Sequence, residues 1–149
     1  MNHKLGAHLS IAGGYHKAIE RITAIGGNCL QIFSSSPRGW NFAKTTEQEI
    51  SQFLNLKSQL NIYPIYFHAS YLINLADESR IGHLSKQSLI AEMSIAPLLQ
   101  IKGSIVHLGS YKNQVSSIKY LVLIKNIKEV LEKTPKESLF IIENAGNRK

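Results

Sequence analysis

Five short apolar runs alternate with helix-like stretches along the whole chain, and this rhythm limits the possible folds more than any other feature. The runs are Leu5–Ser10, Cys29–Phe33, Tyr63–His68, Ser104–Leu108 and Ser138–Glu143. Between them lie amphipathic stretches. One starts near Tyr15, with Ala18, Ile22 and Ile25 on one face, and Gly26-Gly27 ends it. Thr46-Glu-Gln-Glu49 has the spacing of a capping box, opening a helix with Ile50, Phe53 and Leu54 inward. Ser116 or Ser117 opens another, with Ile118, Leu121, Val122, Val130 and Leu131 on its apolar side. Pro97 falls inside the apolar stretch Leu89–Leu99 and is expected to end or kink that helix, because it lacks an N–H and its ring clashes with the preceding turn. Strand–helix units in strict alternation imply parallel strands with right-handed crossovers. The runs are apolar enough to be buried on both faces. The class is therefore α/β, and the pattern alone fits a doubly wound sheet as well as a barrel.

A chain of 149 residues with 44% hydrophobic side chains suits one domain with a real core. No linker or low-complexity segment divides it. No apolar run reaches the roughly 18 residues of a membrane span, and the start lacks a secretory apolar region. Cys29 is the single cysteine, which excludes an internal disulfide and fits a reducing compartment, most simply the cytoplasm. The net charge of +7 suits a polyanion such as nucleic acid, although a lysine-rich surface alone gives the same balance. Lys102, Lys112, Lys119, Lys125 and Lys128 occupy a stretch without an acid, expected to be a loop and the solvated face of a helix.

Three of the strands end in metal-ligand residue types: His68 on the third, His107 near the end of the fourth and Glu143 on the fifth. In a parallel barrel the C-terminal strand ends converge on one mouth. Two histidines and a glutamate there make a zinc site with an open position for water or substrate, and zinc would bring that water's pKa toward about 7. A lone strand-end histidine is more often structural; three successive strand ends are harder to assign to chance. His8 also ends a strand and is a candidate fourth ligand, a hydrogen-bonding support behind a ligand, or a phosphate contact. His3 near the terminus, His16 in a helical stretch and His83 in a loop carry no such placement, and Cys29 reads as core packing.

Two loops suit DNA. Ser34–Trp40 sets Arg38 beside Trp40, a pair able to contact phosphates and stack on bases. Ser70–Asn74 presents Tyr71 and Leu72, an apolar tip able to wedge into a base stack. Each loop taken alone reads equally as a turn packed on the rim.

Gly6-Ala-His-Leu-Ser10 with Ala12-Gly-Gly14, Pro37-Arg-Gly-Trp40, His68-Ala-Ser-Tyr-Leu-Ile-Asn-Leu75, His107-Leu-Gly-Ser110 and Ile142-Glu-Asn-Ala-Gly146 occur in that order. Together they resemble the N-terminal half of the endonuclease IV family, with His68–Leu75 the most specific piece. The resemblance implies a (β/α)₈ TIM-barrel fold of the xylose-isomerase-like type, residues 1–149 being the N-terminal portion of one such domain, truncated after about the fifth strand. It implies a cluster of three zinc ions in a complete site. Positions matching His68 and His107 serve one zinc, and the position matching Glu143 bridges it to a second and is catalytic, so this chain carries at most one complete ligand set. Arg38, Tyr71 and Leu72 match positions on loops that enter the minor groove of double-stranded DNA and help flip an abasic nucleotide. The implied reaction is hydrolysis of the phosphodiester 5′ to an abasic site, as in base excision repair. Further ligands come from later strands in the family, so a missing C-terminal half is the expected partner. The glutamate motif is also one residue shorter before its glycine than is usual in the family, and basic after it.

Two other readings stay open. One is a metal-dependent sugar isomerase or epimerase on a similar barrel, which needs no Arg–Trp loop or Tyr–Leu wedge. The other is a non-catalytic DNA-binding module, whose binding would fall with salt and ignore chelators.

Overall fold

The strand–helix rhythm is realised throughout the computed structural model, which describes residues 3–111 and 117–144. In chain order the elements are β1 (Gly6–Leu9), α1 (Tyr15–Ala24), β2 (Cys29–Phe33), α2 (Glu47–Gln59), β3 (Ile65–His68), α3 (Arg80–Ile95), β4 (Gly103–Val106), α4 (Ser117–Glu132) and β5 (Leu139–Ile142). All neighbouring strands pair in parallel, in the spatial order β1-β2-β3-β4-β5. A doubly wound sheet reverses its order at a switch point. This sheet does not, and right-handed crossovers running always one way put every helix on one face. The architecture is therefore the first five strands of a TIM-type barrel winding, with β1 and β5 at the edges of the sheet among the described residues.

Local chemistry sets the element ends. Thr46 Oγ1 accepts from the Glu49 N–H at 3.2 Å, and the Glu49 carboxylate accepts from the Thr46 N–H at 2.9 Å, so the capping box forms. The α1 C-terminus closes through Gly26 N–H to Thr23 O, and α3 stops at Ile95, two residues before Pro97.

The core lies between sheet and helices in two clusters. Ile19, Ile22, Ile32, Phe53, Ile65 and Phe67 fill the first; Leu75, Leu89, Met93, Val106 and Val130 fill the second. Several expectations need correction. The strands are not buried on both faces: Leu30, Ile32, Ile65, Phe67, Ser104 and Val106 face the helices and are buried, while Gln31, Tyr66 and Ile105 on the inner face are only half-buried. Cys29 lies on that half-open inner face, not in the core. Ile25 is exposed, because α1 turns its Tyr15, Ala18, Ile19 and Ile22 stripe inward. On α4 the buried stripe is Leu123, Asn126 and Val130, whereas Ile118, Leu121 and Leu131 are exposed. That helix is apolar around most of its circumference and has only one sheet face and α3 to cover it. His83 sits in the first turn of α3 and not in a loop.

Candidate metal centre

His68 closes β3, and His107 follows β4 by a single residue, as Glu143 follows β5. The ladder continues into this last position, since the Glu143 N–H donates to Val106 O at 3.1 Å. Alternation along each strand directs all three side chains to the inner face at the C-terminal mouth. Glu143 Oε2 lies 3.5 Å from His68 Nε2 and 3.6 Å from His107 Nε2. One ligand atom from each residue falls within 4.8 Å of the others.

The spacing fits a metal ion. Two ligands bonded at about 2.0–2.1 Å and separated by a tetrahedral angle sit about 3.3–3.4 Å apart. The donor set of two imidazoles and a carboxylate is that of zinc and other borderline divalent metals. His68 Nδ1 is 2.8 Å from Ala69 O, so its proton belongs on Nδ1 and the Nε2 lone pair faces the mouth. His68 is buried, whereas His107 and Glu143 are half-open to solvent, leaving room for a ligand on their side. The buried Nδ1 of His107 has no hydrogen-bond partner among the described residues.

His8 stands beside this group but outside it. Its ring lies 4.3 Å from Phe33 and 5.6 Å from His68, and its Nδ1 pairs with Gln31 Nε2 at 3.1 Å. Burial, and then the charge of His68, hold its pKa below the usual histidine value, which favours a neutral ring. Arg38 is exposed on its loop, while Trp40 packs onto the second core cluster and anchors that loop from below. Ser70 Oγ donates to Pro37 O at 2.8 Å and so ties the Arg38 loop to the Tyr71–Leu72 loop. Tyr71 is 65% exposed and stands edge-on to Phe33, while Leu72 is half-buried. Pro37 and Ser70 share a crevice with His68, and the Tyr71 ring lies 6.2 Å from the His68 ring, so both loops start beside the ligand group. Lys112 and the end of the glutamate motif, Ala145-Gly146, lie outside the described residues.

The sequence reading missed the polar joints behind this mouth. Asn74 Oδ1 accepts from the Ala76 and Ser110 N–H groups, and Asn74 Nδ2 donates to Ser110 O. This joins the His68–Leu75 segment to the segment after His107. Glu92, on the buried stripe of α3, accepts from the hydroxyls of Ser34 and Ser104. Its signal was legible: Leu89, Glu92, Met93 and Ala96 follow i, i+3, i+4, i+7 spacing, with one acid on an apolar face.

Fold and site together define an α/β chain of the TIM-barrel type with a metal-competent mouth at its strand ends. No family model matches the chain. "Probable endonuclease 4" of Halothermothrix orenii is 34% identical over 144 residues, covering 96% of this chain and 52% of that protein. "Endonuclease 4" of Thermus thermophilus is 38% identical over 109 residues, covering 72% of this chain and 40% of that protein. The crystal structure of endonuclease IV from a second strain of Thermus thermophilus superposes with a TM-score of 0.77 at 32% identity, over 87% of this chain and 46% of that one. A D-tagatose 3-epimerase-like protein superposes with a TM-score of 0.74 at 19% identity over 99% of this chain and 55% of that one, a likeness of fold alone. The chain is thus related to the endonuclease IV family and corresponds to its N-terminal half. It spans about half the length of the curated relatives it matches.

Proposed function

We propose that this chain is the N-terminal portion of a zinc-dependent endonuclease of the endonuclease IV type, acting in the cytoplasm on abasic sites in duplex DNA. The observation that carries the reading is the meeting of His68, His107 and Glu143 at three successive strand ends, within 4.8 Å of one another. Held there, zinc would act as Lewis acid toward a phosphodiester and make water deprotonable near neutral pH. The residues themselves do the rest. His68, fixed through Ala69 O, and His107 present ring nitrogens to the mouth, and Glu143 adds a carboxylate oxygen as the third donor. Arg38 offers a cation to the DNA backbone, and exposed Tyr71, backed by Phe33, offers a flat apolar face to an opened base stack. An abasic nucleotide is the cheapest to flip from the duplex, because no base pair is broken.

The proposal includes a C-terminal half as partner. On the β5–α4 side, Ile118, Tyr120, Leu121, Leu131, Leu139 and Ile142 are each 47–65% exposed. Exposed apolar side chains on α4 and on both faces of the edge strand β5 are surface that wants covering. The relatives' additional length is of the size needed to supply three more strand–helix units. Without them the ligand set stops at one metal, so the chain alone is expected to be weakly active or inactive. The epimerase reading gains only fold likeness, and gives the tied Arg38 and Tyr71 loops nothing to do.

The test is incubation of the chain, with zinc, with a duplex carrying one abasic site. Little incision alone, and chelator-sensitive 5′ incision after adding a C-terminal half from a relative, supports the reading. Failure of Glu143→Ala to abolish the restored incision would sink the role given to Glu143, and duplex binding indifferent to chelator with no incision in either case would favour a binding module.

A further inference from the structure

Glu92 is the most deeply buried acid of the described residues, 4% exposed on the inward stripe of α3. Burial pushes its pKa above the ordinary glutamate value, against the opposing pull of its two serine partners. Such a group is costly unless its polar atoms are satisfied, and here each carboxyl oxygen accepts from one serine hydroxyl. The two serines lie on different strands. Ser34 directly follows Phe33 at the end of β2, and Ser104 is the second residue of β4. Between them runs β3, with Phe33 opposite His68 and Ser104 opposite Phe67. One side chain of α3 therefore grips, from behind, both strands that flank His68. Ser104 also lies three residues before His107. The grip extends to α1, where Tyr15 donates from its hydroxyl to Ser34 O at 2.6 Å. Glu92 and His68 line one small crevice together with Ser34, Ser70 and Ser88.

We propose that Glu92 is a positioning residue for the metal centre, fixing β2 and β4 against α3 so that His68 and His107 meet Glu143 at ligating distance. This rests on the reading of those three residues as metal ligands. Apolar packing would keep the strands together but leave their relative slide to many small contacts, whereas two hydrogen bonds to one buried carboxyl group fix direction as well as distance. A carboxyl is suited to the task because it has one acceptor oxygen for each strand. Glutamine can substitute: its carbonyl accepts from one serine and its amide donates to the other. Leucine cannot.

The test compares Glu92→Gln, Glu92→Leu and the triple variant Ser34→Ala/Glu92→Leu/Ser104→Ala. The triple leaves no buried hydroxyl without a partner, and removing all partners of a polar cluster is often close to neutral for stability. Urea unfolding reports the fold. Co²⁺ titration against a chromophoric chelator reports metal affinity, and long-range ¹H–¹⁵N spectra without metal report the tautomers of His68 and His107. Expected are Co²⁺ affinity near the parent's for Glu92→Gln and a loss of roughly ten- to hundredfold for the triple, of the size seen when groups supporting metal ligands are removed. The two imidazole signals should shift in the triple but not in Glu92→Gln. A folded triple with parental affinity and unshifted imidazole signals would overturn the proposal. A parent that takes up no Co²⁺ would instead sink the metal reading, and the imidazole spectra would still decide whether Glu92 sets the geometry of His68 and His107.

Discussion

Gly109→Ala should damage the candidate centre from two residues beyond His107. Gly109 has φ +104°, in the region that favours glycine, so any side chain there is strained by about 1–2 kcal/mol. A Cβ built on it would also lie 2.2 Å from Asn74 Oδ1 and 2.6 Å from Asn74 Cα. The first clash can be relieved by the side chain, but the second needs backbone to move, at a further cost of about 1–3 kcal/mol. The displaced groups are the Asn74–Ser110 bonds and the Leu75 N–H to Leu108 O bond at 2.9 Å, which join the segments carrying Tyr71 and His107. The sum is about 2–5 kcal/mol, which for a chain of this size lowers Tm by roughly 4–20 °C. Urea and thermal unfolding measure it, and Co²⁺ affinity should fall in the surviving folded protein. A loss below about 0.5 kcal/mol, the range of ordinary surface changes, would refute the close approach of the two loops.

Zinc at a hundredfold excess over its Kd should stabilise the chain by about 2.7 kcal/mol, or roughly 5–11 °C in Tm, and His107→Ala should abolish the shift seen by differential scanning calorimetry. Glu92, with its pKa raised by burial, keeps its proton in the fold after the unfolded chain has released it. Stability therefore falls as pH rises from about 4.5 toward the folded pKa, by at most about 1.4 kcal/mol per unit, and Glu92→Gln should lack this slope in urea titrations carried upward from that pH. The Lys86 and Lys133 hydrogen bonds depress the Glu129 pKa to about 2. Its contribution is present above the unfolded pKa and lost as pH falls through about 2. Glu129→Gln should therefore cost about 0.5–1 kcal/mol at pH 7, and the gap to the parent should close in acid.

The parts of this structure legible in the sequence are those whose cause is local. Strand positions, the Thr46–Glu49 capping box and the helix stop before Pro97 depend on a few neighbouring residues, and all were readable. So was the set of His68, His107 and Glu143, because alternation and strand-end placement bring them together whatever the exact register. The barrel winding was not readable from pattern, since it lies in which strand pairs with which. Nor was the inward face of α4, where apolar residues lie around most of the helix and tertiary contact selects Leu123, Asn126 and Val130. Asn126 illustrates the reason. It reads as a surface residue, yet it is buried and its amide donates to Leu75 O at 2.9 Å. The Asn74–Ser110 joint and the Glu92 grip likewise depend on partners 12 to 58 positions apart.

Zinc K-edge X-ray absorption on the chain loaded with one equivalent of zinc tests the central claim most directly. Coordination by two imidazole nitrogens at about 2.0–2.1 Å and at least one oxygen at about 2.0–2.2 Å, lost in both His68→Ala and Glu143→Gln, is the predicted result. A sulfur shell at about 2.3 Å, placing the metal on Cys29, or a spectrum unchanged by those substitutions, would contradict it.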